Sequence, residues 1–131
     1  MKTIKYLFMG ALMTVVSGSV MAQEVSVKDA VTAIKTNKDK AAVAAIVKNA
    51  TKEYKKDAKA LAAIGRAYLD VKDTANTRKY ADMSIALTNK AKSGKVGDGF
   101  MLMGDLEYYK DDPGAAAAMY QNAYYVEPNN I

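Results

Sequence analysis

The chain of 131 residues contains no histidine, no cysteine and no tryptophan. Those absences exclude zinc sites built on imidazole or thiolate, haem held by His or Cys, Ser-His-Asp triads, cysteine nucleophiles and disulfide scaffolds. Proline is scarce, with only Pro113 and Pro128, and β-branched residues do not alternate in runs, so little interrupts a helical reading. Any chemistry would rest on Asp, Glu, Lys, Ser, Thr or Tyr. The expectation is a protein that is not an enzyme and uses no cofactor or metal. Half of the residues are apolar and a quarter are charged, which suits one domain with a buried core.

The first 22 residues read as a secretory signal peptide. Lys2 and Lys5 give a positive start, and Leu7 to Val16 form an apolar run. Ser17, Gly18 and Ser19 then loosen the helix before Val20-Met21-Ala22, whose small residues suit a cut at Gln23. The run is short of the roughly 20 apolar residues that span a bilayer. An exported product, periplasmic or secreted and without a stable membrane anchor, is therefore expected over residues 23–131. Formal charge is +5 for the whole chain, and losing Lys2 and Lys5 lowers it to +3.

Beyond Gln23 apolar residues recur at helical spacing, with Val27, Ala30, Val31 and Ile34 on one face and Leu61, Ile64, Gly65 and Tyr68 on another. Breaks fall at 36–39, 55–57, 72–74, 89–99 and 111–114. Asp39, Asp57, Asp73 and Asp112 stand where helix starts need a side-chain acceptor, and Pro113 suits a first turn. The spacing predicts an all-α fold of about six helices of about 11 to 16 residues.

The helices repeat. Gly104 has its counterpart at Gly65, and the apolar set Leu61, Ile64, Tyr68 returns as Phe100, Met103 and their neighbours. Units of 34 residues cover about 24–57, 58–91 and 97–130, with a five-residue insertion within 89–95. A glycine on one helix facing an alanine on the next permits close crossing, with larger residues filling the flanks. In the last unit Gly104, Tyr108, Ala116, Tyr120, Ala123 and Pro128 follow a small/large order that resembles the tetratricopeptide repeat family. The middle unit keeps Leu61, Gly65, Tyr68 and Leu87 but has Thr77, Ser84 and Asn89 where alanine, alanine and proline are usual. The first unit has Val31 and Lys55 at positions the family gives to a small residue and a proline. This resemblance implies antiparallel helix hairpins stacked as a right-handed α-solenoid that binds peptides or proteins.

Other motifs fail on spacing. Ser93-Gly94-Lys95-Val96 lacks the upstream glycine and following hydroxyl of a phosphate loop, and Gly97-Asp98-Gly99 has Leu102 at its third glycine position. Asp111-Asp112 lacks the ligand alternation of a calcium loop. Asp98 and Asp105 share a helix face two turns apart and read as solvated. Met103 and Met119 fall at or beside packing positions, and Met101 lies on the opposite face.

Charge is unevenly distributed. Residues 28–95 carry 16 basic and 7 acidic side chains, whereas residues 96–131 carry one, Lys110, against six acids. The basic residues are dispersed and mostly lysine, and the tyrosines lie mainly at the acidic end, so nucleic acid is not an expected partner. By repeat phase, the resemblance implies a peptide groove lined by Lys28, Thr32 and Lys35, then Lys59, Ala62, Arg66, Leu69 and Asp70, then Asp98, Met101, Asp105, Tyr108 and Tyr109. The asparagines of a terminal-carboxylate clamp are absent from that stripe. A protein or peptide partner is expected, and the function is a scaffold or adaptor in the bacterial cell envelope. The alternative is the amino-terminal adaptor of a longer exported protein. Tyr120, Tyr124, Tyr125 and Val126 are expected near an uncapped last edge that docks a partner or self-associates.

Overall fold

In a computed structural model residues 26–130 are described, and their regular structure is entirely helical. The expected leader, Glu24 and Ile131 lie outside the described residues. Six α-helices follow in order: α1 (Val27–Thr36), α2 (Lys40–Glu53), α3 (Ala58–Asp70), α4 (Thr74–Lys90), α5 (Asp98–Tyr109) and α6 (Pro113–Val126), with a 3-10 turn at Pro128–Asn130. The all-α expectation holds. Helix lengths run from 10 to 17 residues, slightly wider than the spacing predicts. Among the described residues no helix is long and apolar enough to cross a membrane.

Local chemistry fixes where the helices begin. Asp39 accepts from the amides of Ala41 and Ala42, Asp57 from Ala60, Asp73 from Asn76 and Asp112 from Ala115. Each satisfies backbone donors that a helix leaves open in its first turn. Helix α1 uses a reciprocal capping box between Ser26 and Asp29. Helix α5 starts differently. Gly97 offers no side chain, and its N–H donates to Glu127 Oε1 at 2.8 Å, so the segment after α6 closes the start of α5.

Three linkers of equal length join the helices in pairs, at 37–39, 71–73 and 110–112. The second and third are built alike. Lys72 and Asp111 each take φ of 67°, and the following aspartate N–H reaches back to Tyr68 O or Glu107 O at 2.9 Å. This is the six-residue helix-closing motif usually completed by glycine, with the next helix's capping aspartate as its last member. The expected insertion is divided: α4 is three residues longer than α2, and the linker after it, 91–97, has seven residues where 54–57 has four.

Paired helices pack on each other, α1 on α2, α3 on α4 and α5 on α6. In addition α1 packs on α3, α3 on α5 and α4 on α5. The first helix of each pair therefore stands in a row with the next. One apolar cluster joins α1 to α4 through Ile34, Val47, Leu61, Ile64 and Tyr80, and a second joins α4 and α5 through Ala81, Leu102, Met103 and Leu106. Met119 packs against the second cluster, in keeping with its phase. Leu61, Ile64, Leu102 and Leu106 are fully buried, each contributing about 1.5–3 kcal/mol of transfer free energy. Tyr80 stacks on Tyr68 at 5.7 Å and shares a 2.7 Å hydrogen bond with Thr51, which ties α2, α3 and α4 together.

Two of the middle unit's departures from the repeat pattern, Thr77 and Ser84, have a physical explanation that the neighbouring Thr88 shares. Thr77, Ser84 and Thr88 are buried, and each hydroxyl donates to a carbonyl: Asp73, Ala58 and Val96 respectively. A buried hydroxyl with a partner costs little and here positions two linkers. The glycines allow the close crossings. A Cβ on Gly65 would lie 2.5 Å from Leu102 Cδ2 and 3.0 Å from Tyr80 Cβ, and one on Gly104 would meet the Tyr120 ring at 2.5 Å.

Two substitutions are expected to move stability in opposite directions, as measured by urea unfolding. Gly65→Ala overpacks the crossing of α3, α4 and α5 and costs about 1–3 kcal/mol. Asp111→Gly relieves a left-handed residue at an exposed turn and adds about 0.5–1 kcal/mol.

Candidate functional site

The predicted stripe lies on α1, α3 and α5, and its charged members other than Lys28 meet in pairs. Lys35 Nζ stands 3.5 Å from Asp70 Oδ2, Lys59 Nζ 3.3 Å from Asp98 Oδ2, and Arg66 Nη1 2.5 Å from Asp105 Oδ2. Asp98 and Asp105 are thus engaged by cations of the preceding hairpin, which corrects the reading of a merely solvated face. The geometry follows from the row of first helices. Lys59 and Asp98, like Arg66 and Asp105, are 39 residues apart, one full repeat with its insertion. Corresponding positions of successive helices lie side by side, and here they carry opposite charge.

Asp105 is the most connected of these groups. Its Oδ2 accepts from Arg66 on α3, and its Oδ1 accepts from the Tyr120 hydroxyl on α6 at 2.5 Å. The carboxylate on α5 therefore joins three helices. Tyr120, expected at an open edge, is partly buried and turned inward to this junction. Burial is the main cause of a raised Tyr120 pKa, pushed up to about 12. The hydrogen bond and charge of Asp105 add to the rise, and Arg66 opposes it. A second acid of α5, Glu107, accepts from Arg78 Nη2 at 3.0 Å and lies 3.4 Å from Lys110 Nζ. Three acids of α5 thus face three cations of the second hairpin.

The remaining members of the stripe are less engaged. Lys28 and Thr32 are exposed on α1. Met101 borders an open recess of about 290 Å³ with Lys59, Ala62, Ala63, Arg66 and Asp98. Ala62 forms its buried floor, and the charged pairs form its rim. Leu69 is half-buried against the second cluster. Tyr108 is 68 % exposed, whereas Tyr109 lies under Lys72 Nζ, 4.9 Å from the ring centre, and so touches the turn between α3 and α4.

The rejected phosphate-loop segment has a structural role. Lys95 Nζ donates to Thr88 O at 3.2 Å, and Gly94 takes φ of 65° within the 91–97 linker. Sequence reasoning missed Tyr120, Arg78 and Glu107 as members of the junction between hairpins. For the Lys59 and Arg66 pairs a signal was present, since opposite charges recur at one repeat position. Arg78 and Glu107 sit at unlike positions, and no such rule finds them.

Comparison with known protein families, with curated proteins and with solved structures finds no match.

Spectrophotometric titration checks the junction. The difference between the wild type and Tyr120→Phe is expected to show a phenol ionising near 12, above the ordinary value of 10. Asp105→Asn lowers that value only in part, because burial is the larger cause. Since the folded value lies above the unfolded one, this phenol's contribution to stability is complete below pH 10 and is lost as pH rises from there through 12.

Proposed function

We propose that the chain is an exported, non-enzymatic helical-repeat protein, similar to the tetratricopeptide repeats, that scaffolds or recruits proteins in the bacterial cell envelope. The observation that carries this reading is the contact between residues one repeat apart. The Lys59–Asp98 and Arg66–Asp105 contacts between α3 and α5 are what a stacked array of hairpins would give, and they support this reading. Equal three-residue linkers and the paired glycines at 65 and 104 support the same right-handed solenoid of three hairpins.

In this reading the row of α1, α3 and α5 is the binding face. Its charges are already paired, which makes it less selective for a charged peptide than an unpaired stripe. The pairs are roughly half exposed, and such pairs contribute only about 0–1 kcal/mol each. A partner's carboxylate therefore competes with Asp98 for Lys59. Lys28, Thr32 and Lys35 favour an acidic end of the bound segment, and Tyr108 and Tyr109 favour an apolar or basic end. The amino-terminal residues 1–22 supply the address, and the product carries no membrane anchor, cofactor or nucleic acid.

Two measurements test this. Cell fractionation with intact-mass analysis is expected to find a product beginning at Gln23 in the periplasm or medium. A photo-crosslinking residue at Tyr108, on the exposed part of the stripe, is expected to capture a discrete envelope protein. Lys28→Glu should weaken that capture several-fold. A cytoplasmic product retaining Met1 contradicts export, and capture that is unchanged by Lys28→Glu contradicts the groove.

A further inference from the structure

Two of the solvent-exposed helix faces, on α6 and α2, complement each other. Helix α6 has 14 residues and not one Asp, Glu, Lys or Arg. Its buried anchors are only Ala116 and Ala123, while Ala117, Gln121, Tyr124 and Tyr125 are exposed on one continuous arc. Tyr124 is 52 % and Tyr125 70 % exposed. An uncharged, tyrosine-bearing strip with charge only at its ends is the make-up of an interface centre. The charges at its ends are mainly acidic: exposed Asp111 and the capping Asp112 precede it, next to Lys110, and Glu127, which accepts from the Gly97 amide, follows.

Helix α2 carries the counterpart. Its solvent arc places Ala44, Ala45 and Asn49 among Lys40, Lys48 and Lys52, with one acid, Glu53, at its end, and Lys55 and Lys56 follow. Lys40, Lys48 and Lys52 form no ion pair with a described residue. The two faces belong to opposite ends of the chain, with α3 packed between α1 and α5. Complementary surfaces held apart in this way are satisfied between molecules.

We propose that the chain associates head to tail, with the α2 face of one copy seated on the α6 face of another. Alanines of α2 receive the tyrosines of α6, and the lysines of α2 meet the acids that bracket α6. The contact is heterologous, so each added copy leaves one α2 face and one α6 face free and the assembly grows beyond a dimer. A helix of this length spans about 21 Å, which makes the buried area smaller than that of a standard stable interface. Association is therefore weak and reversible, and it falls with salt as the charges are screened. This inference goes beyond the adaptor reading and depends on neither export nor peptide binding.

Sedimentation equilibrium on protein purified from cells expressing the full chain tests it. At low salt the average mass is expected to rise past that of a dimer with increasing concentration and to return to the monomer at high salt. Lys48→Glu with Lys52→Glu in one chain, and Ala118→Lys with Gln121→Lys in another, are expected to leave each chain monomeric. An equal mixture of the two should associate again, because the reversed faces match. A monomer mass under all conditions overturns the proposal, whatever the variants do. Association that survives the α2 reversal, or a mixture that stays monomeric, overturns the head-to-tail contact.

Discussion

The Asp105 carboxylate holds three helices at one point, with Arg66 of α3 on one oxygen and Tyr120 of α6 on the other. Much of the last hairpin depends on this junction. Helix α6 fully buries Ala116 and Ala123, packs Met119 against the second apolar cluster and lays the Tyr120 ring on Gly104. Polar contacts at its middle and end add to that packing: Tyr120 with Asp105, and Glu127 with the Gly97 amide. Gly104 leaves room for the Tyr120 ring to reach inward, which makes the glycine and the hydrogen bond two parts of one constraint.

The same junction accounts for the charge distribution. A basic body and an acidic end suggest a polarised molecule when residues are counted along the chain. In the fold, α5 sets Asp98, Asp105 and Glu107 against Lys59, Arg66 and Arg78, so much of the contrast is neutralised where the second and third hairpins meet. The residual imbalance lies at the two ends, lysines around α2 and acids around α6. For function this matters more than net charge. Apart from Lys28 the inward stripe presents paired charges, and the α2 face presents lysines without an ion pair to a described residue.

Helix starts were legible because they depend on a single residue and its immediate neighbours. Asp39, Asp57, Asp73 and Asp112 could be assigned without knowing what the helices pack against. The glycine positions were legible for a related reason, since Gly65 and Gly104 recur at the repeat spacing. The left-handed turns at Lys72 and Asp111 gave no signal, because a residue type that seldom adopts that conformation does not announce it. Tyr120 was misjudged as an edge residue, since its orientation depends on Asp105 across a helix crossing. Of the candidate site, the stripe's membership could be read from phase, but its internal pairing could not be read from composition. Opposite charges one repeat apart were the available clue.

The Arg66–Asp105 pair adds a specific coupling to the apolar packing between the second and third hairpins. A double-mutant cycle on Arg66→Ala and Asp105→Ala, read by urea unfolding, tests it most directly. The account predicts that the two losses do not add, with a coupling of about 1 kcal/mol. Losses that add within about 0.3 kcal/mol would contradict it.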